Sequence, residues 1–199
     1  IKRPDRQSFA IQSPSTLWYQ PSDLSTLLTL KRLHPHARVI SGNSELAVER
    51  KFRFIEIPIA INPRQVRELH ESCISKERDA VYLGTGLSIT QMNDQIRTFS
   101  KQLNAHQCTV LNVASEMIHW FAGKHVRNVA SIAGNIATAS PISDLNPIWM
   151  ATGTKVLLES ELRGQREVTI DEHFFIGYRK TSIAADEIIR GIWISLTKQ

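Results

Sequence analysis

Residues 39–45 read Val-Ile-Ser-Gly-Asn-Ser-Glu, a short apolar run that passes through a Gly-Asn-Ser turn into a charged segment. Ser44 is a typical N-cap residue, so the pattern predicts a strand, a tight turn and a helix over residues 45–52. Glycine permits close backbone approach, and the amides that follow it can hold an anion such as a pyrophosphate. An ordinary strand–helix turn explains the same residues, so both interpretations stay open at this point.

The segments that flank this turn alternate between strand and helix patterns. Upstream, a strand over residues 16–19 is followed by Ser22, which is expected to cap a helix that ends near Leu33. Downstream, residues 56–61 form a third predicted strand. A strand–helix–strand–helix–strand order with short connections predicts a small α/β unit.

The pattern changes at about residue 77. A strand over residues 80–84 precedes two predicted helices, over 90–103 and 111–121, and three strands follow in a β-rich remainder over 155–160, 166–170 and 187–196. The chain is therefore predicted to consist of an α/β unit followed by a β-rich part that also contains helices. The expected division is a linker over residues 1–14, a first subdomain over 15–76 and a second subdomain over 77–199.

A second candidate site lies in residues 123–147, which are rich in Gly, Ala, Ser and Asn and are predicted as a long loop. Its central stretch, residues 131–144, reads Ser-Ile-Ala-Gly-Asn-Ile-Ala-Thr-Ala-Ser-Pro-Ile-Ser-Asp. Small residues let a flat or phosphorylated ligand lie against the main chain, and Asp144 can accept hydrogen bonds from ligand hydroxyls. The alternative is a packing seam in which Asp144 caps the next segment.

Composition limits the classes of function. The chain has 199 residues, 42% of them hydrophobic and 22% charged, and a net charge of +5. This modest excess favours an anionic ligand over nucleic-acid binding, and the longest uncharged stretch, residues 128–143, is too polar to span a membrane. Cys73 and Cys108 are too few for a disulfide framework or an iron–sulfur cluster, so no metal site is expected and a reduced cytosolic protein is the simpler interpretation. The first residues contain neither an initiator Met nor an apolar signal segment, so no secretory signal is expected and the chain is expected to be a fragment of a longer protein.

Four segments together closely resemble the FAD-binding domain of the xanthine dehydrogenase/oxidase family: residues 16–21, 39–45, 120–147 and 174–181. The resemblance extends over about residues 15–196, and the block 120–147 is its most specific part. It implies two α+β subdomains with FAD bound between them. It also implies an enzyme that oxidises hypoxanthine and xanthine to urate, in which electrons pass from molybdopterin through two [2Fe–2S] clusters to FAD and then to NAD⁺ or O₂. The clusters and the molybdopterin would lie in other domains of the same polypeptide, a cytoplasmic or peroxisomal homodimer.

The same resemblance implies roles for individual residues, none of them catalytic for the purine reaction. Residues expected to bind FAD are Val39, Ile40, Ser41, Gly42, Asn43, Ser44, Glu45, Leu46, Phe121, Ser131, Ala133, Gly134, Asn135, Asp144 and Ile189. Residues expected at the nicotinamide-side cleft are Glu45, Thr138, Ser140 and Tyr178. The related aldehyde oxidases share most of these blocks but typically lack an acidic residue after Gly-Asn-Ser, so Glu45 favours the xanthine enzyme. A flavin-free remnant that serves as a partner surface is a third alternative, against which the glycine and asparagine residues of both loops argue.

Overall fold

Two β-sheets organise residues 7–197, the part of the chain that the computed structural model describes. The first unit contains β1 (Phe9–Gln12), β2 (Leu17–Gln20), α1 (Leu24–Leu33), β3 (Arg38–Val39), α2 (Leu46–Arg53) and β4 (Ile59–Ile61). Its strand order is β1-β2-β4-β3, with β1 antiparallel to β2 and with β2 and β3 both parallel to β4. The two helices make the crossovers that parallel strands require.

Helix α1 packs against one face of this sheet. Asp23 caps the helix, because its side chain accepts a hydrogen bond from the Thr26 amide, and this bond holds the pKa of Asp23 below its ordinary value. The cap is therefore one residue later than the predicted Ser22. Leu27 and Leu28 are buried against Ile61, so the apolar stripe of the helix faces the sheet as its spacing predicts.

The second unit is an antiparallel sheet covered by helices. Its strand order is β5-β6-β9-β7-β8, formed by β5 (Ser72–Ser75), β6 (Ala80–Gly84), β7 (Lys155–Ser160), β8 (Gly164–Thr169) and β9 (Ile188–Ser195). Between β6 and β7 lie α3 (Ile89–Ser100), α4 (Thr109–Trp120), α5 (Lys124–Arg127), α6 (Ile132–Thr138) and α7 (Asn146–Ala151). A short 3₁₀ helix, Arg67–His70, precedes β5. The largest hydrophobic core of the described residues lies in this unit, with Trp149 and Phe174 almost completely buried.

Direct contacts join the two units. Ile188 of the second sheet packs into the hydrophobic cluster around Leu27 in the first unit. On the surface, Glu161 accepts a hydrogen bond of 2.8 Å from the Thr29 hydroxyl of α1 and forms an ion pair with Arg32. The α+β fold with two α+β units is thus confirmed.

Several predicted boundaries need correction. The linker predicted over residues 1–14 contains the edge strand β1, and residues 1–6 of it lie outside the described part. Phe9 and Ile11 of β1 are exposed, so the strand lacks the alternation of buried and exposed residues that would have predicted it. The predicted subdomain boundary after residue 76 falls one strand too late, because β5 pairs with β6 of the second sheet.

The loop predicted over residues 123–147 is also wrong, since it contains α5, α6 and the start of α7. Ile132 and Ile136, four residues apart, are buried in the core and fix α6 there. The remaining predicted elements are observed, with ends that differ by a few residues.

Two further findings concern membrane-spanning helices and metal-binding side chains. No helix within residues 7–197 is long and apolar enough to cross a bilayer. The same part of the chain brings together no group of three or more His, Cys, Asp or Glu side chains able to hold a metal ion.

Candidate FAD site

The first loop connects β3 to α2. Ile40 is buried and donates its amide to the Ile61 carbonyl at 2.8 Å, which anchors the loop to the central strand of the first sheet. The five backbone amides from Ser41 to Glu45 donate no hydrogen bond within the described residues. Asn43 has a left-handed φ of 52°, which turns the chain into the helix. Consecutive free amides in such a turn form a concavity suited to a phosphate group.

The start of α2 supports the same interpretation. The structure places Glu45, and not the predicted Ser44, at the N-cap, and the Glu45 side chain makes no capping hydrogen bond. The Ala47 amide donates to the Asn43 carbonyl at 3.3 Å, whereas the Leu46 amide has no acceptor within the described residues, and the helix dipole favours a negative one.

The second loop leads into α6. The Ser131 side chain caps this helix by accepting a hydrogen bond of 3.1 Å from the Gly134 amide, and the Ser131 carbonyl accepts one from the Asn135 amide. The Asn135 side-chain oxygen accepts a hydrogen bond of 3.1 Å from the Ser143 hydroxyl. These contacts fix the backbone of the predicted phosphate-facing residues, while Gly134 stays exposed at the surface.

The two loops touch each other at Gly42. A Cβ atom added to Gly42 would lie 1.9 Å from the Val129 carbonyl oxygen and 2.8 Å from the Ala130 amide nitrogen. No side chain fits this space, so glycine is required here by the approach of one backbone to another. The contact places the free amides of the first loop beside the segment that enters Ser131, as a pyrophosphate held by both units requires.

A cleft of about 380 Å³ lies in the second unit, beyond the C-terminal end of α6. Its lining combines small and aromatic residues: Ala139, Ser140, Pro141, Ser143, Asn146, Pro147, Met150, Glu172, Phe175, Gly177, Tyr178 and Arg179. Ser140 and Tyr178, both predicted for the nicotinamide side, are among them, whereas Thr138 is not. A smaller cavity of about 270 Å³ lies in the first unit, and its lining includes Ile40 and Asn43 of the first loop together with Trp18 and Arg50.

Glu45 contacts the cleft through an arginine that sequence reasoning missed. Arg179 donates a hydrogen bond of 2.5 Å to Glu45 and approaches Glu49 at 3.5 Å, and its φ of 55° is left-handed. The hydrogen bond to Glu45 raises the pKa of Arg179 above its ordinary value. The Glu45 carboxylate is thus already paired with a cation that belongs to the second unit.

The other predicted residues occupy different surroundings. Phe121 is half-buried at the end of α4, and Asp144 is exposed just before α7. Ile189 is buried in the core of the second unit, and Val39 is partly exposed on β3. Arg179, Phe175 and Gly177 line the cleft and were not predicted. They are neighbours of Tyr178 in sequence, so the segment 174–181 could have indicated them.

These features fit a dinucleotide cofactor. The free amides of the first loop suit a pyrophosphate, and the backbone contact at Gly42 holds the second loop beside them. The side chain of Asn146 in the cleft has buried amide atoms without a partner among the described residues, which a ligand could satisfy. Two α+β units whose loops meet at Gly42 match the class of FAD-binding domains.

Comparison with known families agrees with this class. Residues 8–195 match the family described as the FAD binding domain in molybdopterin dehydrogenase, and the chain belongs to that family. It is 37% identical over 196 residues to xanthine dehydrogenase from Calliphora vicina, which covers 97% of the chain and 14% of that relative. It is 32% identical over 195 residues to xanthine dehydrogenase/oxidase from Gallus gallus, which covers 98% of the chain and 14% of that relative.

Solved structures show the same fold. Carbon monoxide dehydrogenase from Hydrogenophaga pseudoflava superimposes with a TM-score of 0.79 at 22% identity, over 94% of this chain and 61% of that one. Quinoline 2-oxidoreductase from Pseudomonas putida 86 gives a TM-score of 0.76 at 20% identity, again over 94% of this chain and 61% of the other. The chain therefore spans about one seventh of the xanthine dehydrogenases it matches and less than two thirds of these structures.

Proposed function

We propose that this chain is the flavin domain of an enzyme that oxidises hypoxanthine and xanthine to urate, and that it relays electrons from [2Fe–2S] clusters to NAD⁺ or O₂. The contact between the two loops at Gly42 carries the proposal, because it joins the free amides of one unit to the capped turn of the other. Similarity to xanthine dehydrogenases over nearly the whole chain supports the substrate class. The clusters, the molybdopterin, a homodimeric assembly and a cytoplasmic location belong to the proposal for the longer protein.

In this proposal the protein binds and orients the cofactor. The amides of Ser41 to Glu45 hold one side of the pyrophosphate, and the turn at Ser131, Gly134 and Asn135 lies on the other side. Phe121 offers a half-buried ring for the isoalloxazine, and the exposed Asp144 carboxylate accepts hydrogen bonds from cofactor hydroxyls. FAD, when bound, supplies the electron and hydride transfer chemistry.

The electron acceptor would approach through the neighbouring cleft. Ser140 and Tyr178 line this cleft, and Glu45 lies beside it through its pair with Arg179. A nicotinamide dinucleotide presents hydroxyl and amide groups that these side chains can bind. Thr138, the last residue of α6 and two positions before Ser140, would contribute from outside the lining.

The alternative within this class is the flavin domain of an aldehyde oxidase. Glu45 is the observation that separates the two, because an acidic residue directly after Gly-Asn-Ser favours the xanthine enzyme. A flavin-free remnant would not need the close contact at Gly42 or the free amides beside it.

The test measures the affinity of wild-type protein and of Gly42→Val for FAD. Binding is monitored through the quenching of flavin fluorescence. The added side chain collides with the Val129 carbonyl and pushes the loops apart, so the affinity for FAD should fall by at least about tenfold. Gly164→Asn is the control, because Gly164 lies outside the cleft, an added Cβ there meets nothing within 4 Å, and asparagine tolerates its left-handed φ of 66°. Equal FAD affinity in wild type and Gly42→Val would remove this loop from the site, and wild-type protein that binds no FAD would overturn the function.

A further inference from the structure

The cleft contains a polar side chain that the fold leaves unpaired. Asn146, the first residue of α7, is 4% exposed and lines the cleft. Neither its Oδ1 atom nor its Nδ2 atom has a hydrogen-bond partner within residues 7–197. A buried amide without partners destabilises the folded state, so an unpaired carboxamide in a native fold calls for a ligand or another explanation.

The position of Asn146 does not depend on its side chain. Its backbone amide donates to the Ser143 hydroxyl at 3.3 Å, and that hydroxyl donates to the Asn135 side-chain oxygen at 3.1 Å. Asn146 is thereby tied to the turn that we assign to the cofactor phosphates. Both carboxamide atoms are buried in this conformation, so the side chain must rotate about its torsions before a ligand in the cleft can reach them. The broad χ2 torsion then decides which of the two atoms faces the ligand.

The surroundings indicate the chemistry of this ligand. The charges in the lining oppose each other: Arg179 pairs through Nη1 with Glu45, its Nε atom has no partner within residues 7–197, and Glu172 adds a carboxylate to the same wall. A neutral ligand group meets this mixed lining with less charge repulsion than an anion beside Glu172. Phe175, Tyr178 and Met150 offer flat or adaptable apolar contacts, which suit a planar ring. A neutral carboxamide provides one donor and one acceptor side by side, and its best complement is another amide edge.

We propose that Asn146 binds the amide edge of a planar heterocycle through one carbonyl oxygen and one N–H group. This inference rests on the proposed function, within which two groups carry that edge: the imide of the isoalloxazine and the carboxamide of nicotinamide. Asn146 is a binding residue for whichever of the two lies in the cleft.

The experiment compares wild type with Asn146→Leu, which removes both polar atoms at similar size. Without ligand, Asn146→Leu should melt at the same or a higher temperature, since no unpaired amide remains buried. Binding of FAD is then measured by flavin fluorescence, and binding of NAD⁺ to the FAD-loaded protein by the difference spectrum of the flavin. One affinity should fall about tenfold: that for FAD if the isoalloxazine edge is bound, or that for NAD⁺ if the nicotinamide is bound.

Two further variants complete the design. Asn112→Leu replaces an exposed asparagine of α4 outside the cleft and should change neither affinity. Asn146→Asp keeps the acceptor and loses the donor, so it should also weaken the same ligand, and it takes the place of Asn146→Leu if that variant does not fold. If both affinities stay within about twofold of wild type while Gly42→Val loses FAD, the inference fails and the proposed function stands. Wild-type protein that binds neither FAD nor NAD⁺ would overturn both.

Discussion

The pair formed by Arg179 and Glu45 links the first loop to the wall of the cleft. Arg179 adopts left-handed backbone geometry, which is costly for a residue with a long side chain, and its guanidinium reaches both Glu45 and Glu49. Glu49 in turn accepts a hydrogen bond from Arg38 at 3.3 Å. Glu45 can serve a ligand only within this network, so its effect on binding includes the placement of Arg179.

We expect Glu45→Ser in the full-length enzyme to lower kcat/KM for NAD⁺ by roughly tenfold, because a hydrogen-bond acceptor for the dinucleotide is lost and Arg179 is released. Turnover of xanthine with O₂ should be unchanged, as O₂ needs no such contact. Glu161→Ser is the matched control, since Glu161 also pairs with an arginine across the two units. A similar loss with both electron acceptors would indicate that Glu45 has a structural role.

For single residues, the sequence predicted backbone turns better than it predicted which distant residues contact each other. The Gly-Asn-Ser turn at residues 42–44 is visible locally, because residue types there dictate backbone geometry. Its neighbour Val129 is far along the chain, and Glu45 is separated from Arg179 by 134 positions, so no local spacing could indicate either contact. Asn146 was not predicted as a site residue for a further reason. Whether an amide side chain is buried and unpaired depends on the packed structure and cannot be inferred from its neighbours in sequence.

Among the elements, the segment over residues 123–147 shows how a composition argument can fail. Many small and polar residues predicted a loop, yet Ser131 supplies an N-cap and Ile132 and Ile136 supply a buried stripe for α6. Two apolar residues suffice for a helix of seven residues when the core of the second unit receives them. The long helices α3 and α4 were predicted because their apolar positions repeat over three turns.

The connection between β8 and β9 depends on one buried carboxylate. Glu187 accepts hydrogen bonds from Arg166 Nε at 2.6 Å, Arg166 Nη2 at 2.9 Å and the Ala184 amide at 2.8 Å. Burial raises the pKa of Glu187, but these hydrogen bonds and the charges of Arg166 and Arg163 outweigh it, so the net pKa lies below the ordinary value of 4.5. A carboxyl group of this kind adds stability above its ordinary pKa, and that stability is lost as pH falls through the lower, folded-state pKa.

Glu187→Gln should therefore lower the free energy of unfolding at pH 7 by about 1–3 kcal/mol, because a buried acceptor of three hydrogen bonds loses its charge. The difference from wild type should shrink as the pH falls from 4.5 through the lower, folded-state pKa, because only below that pKa is the carboxyl group protonated in both states. Urea unfolding at a series of pH values measures this difference. Glu77→Gln, at an exposed glutamate, provides the control, and a gap that is independent of pH would contradict the assignment.

Across the whole molecule, the candidate site lies where the two units meet. Contacts between α1 and the second sheet hold the units together on one side, through Thr29, Arg32 and Glu161. Gly42 and Arg179 join them on the other side, next to the cleft. Neither unit alone presents both loops, so binding of FAD should depend on the two units together. The division into two parts was predictable from the order of elements and the α+β class from the family resemblance, whereas the interface depends on long-range contacts.

The last prediction is that this chain, loaded with FAD, does not oxidise xanthine. An iron–sulfur cluster needs about four thiolates, and the chain has two cysteines, of which Cys73 is exposed and Cys108 is buried in contact with the Ser100 carbonyl. In the proposed function its residues bind a flavin and orient a nicotinamide dinucleotide, so reduction of an artificial dye should be detectable with NADH as donor and absent with xanthine. Addition of the molybdopterin and cluster domains should restore the xanthine reaction. The measurement is dye reduction by the purified chain with each donor in turn, and protein without FAD is the control. Xanthine turnover by the isolated chain would show that it is not a relay between separate redox centres.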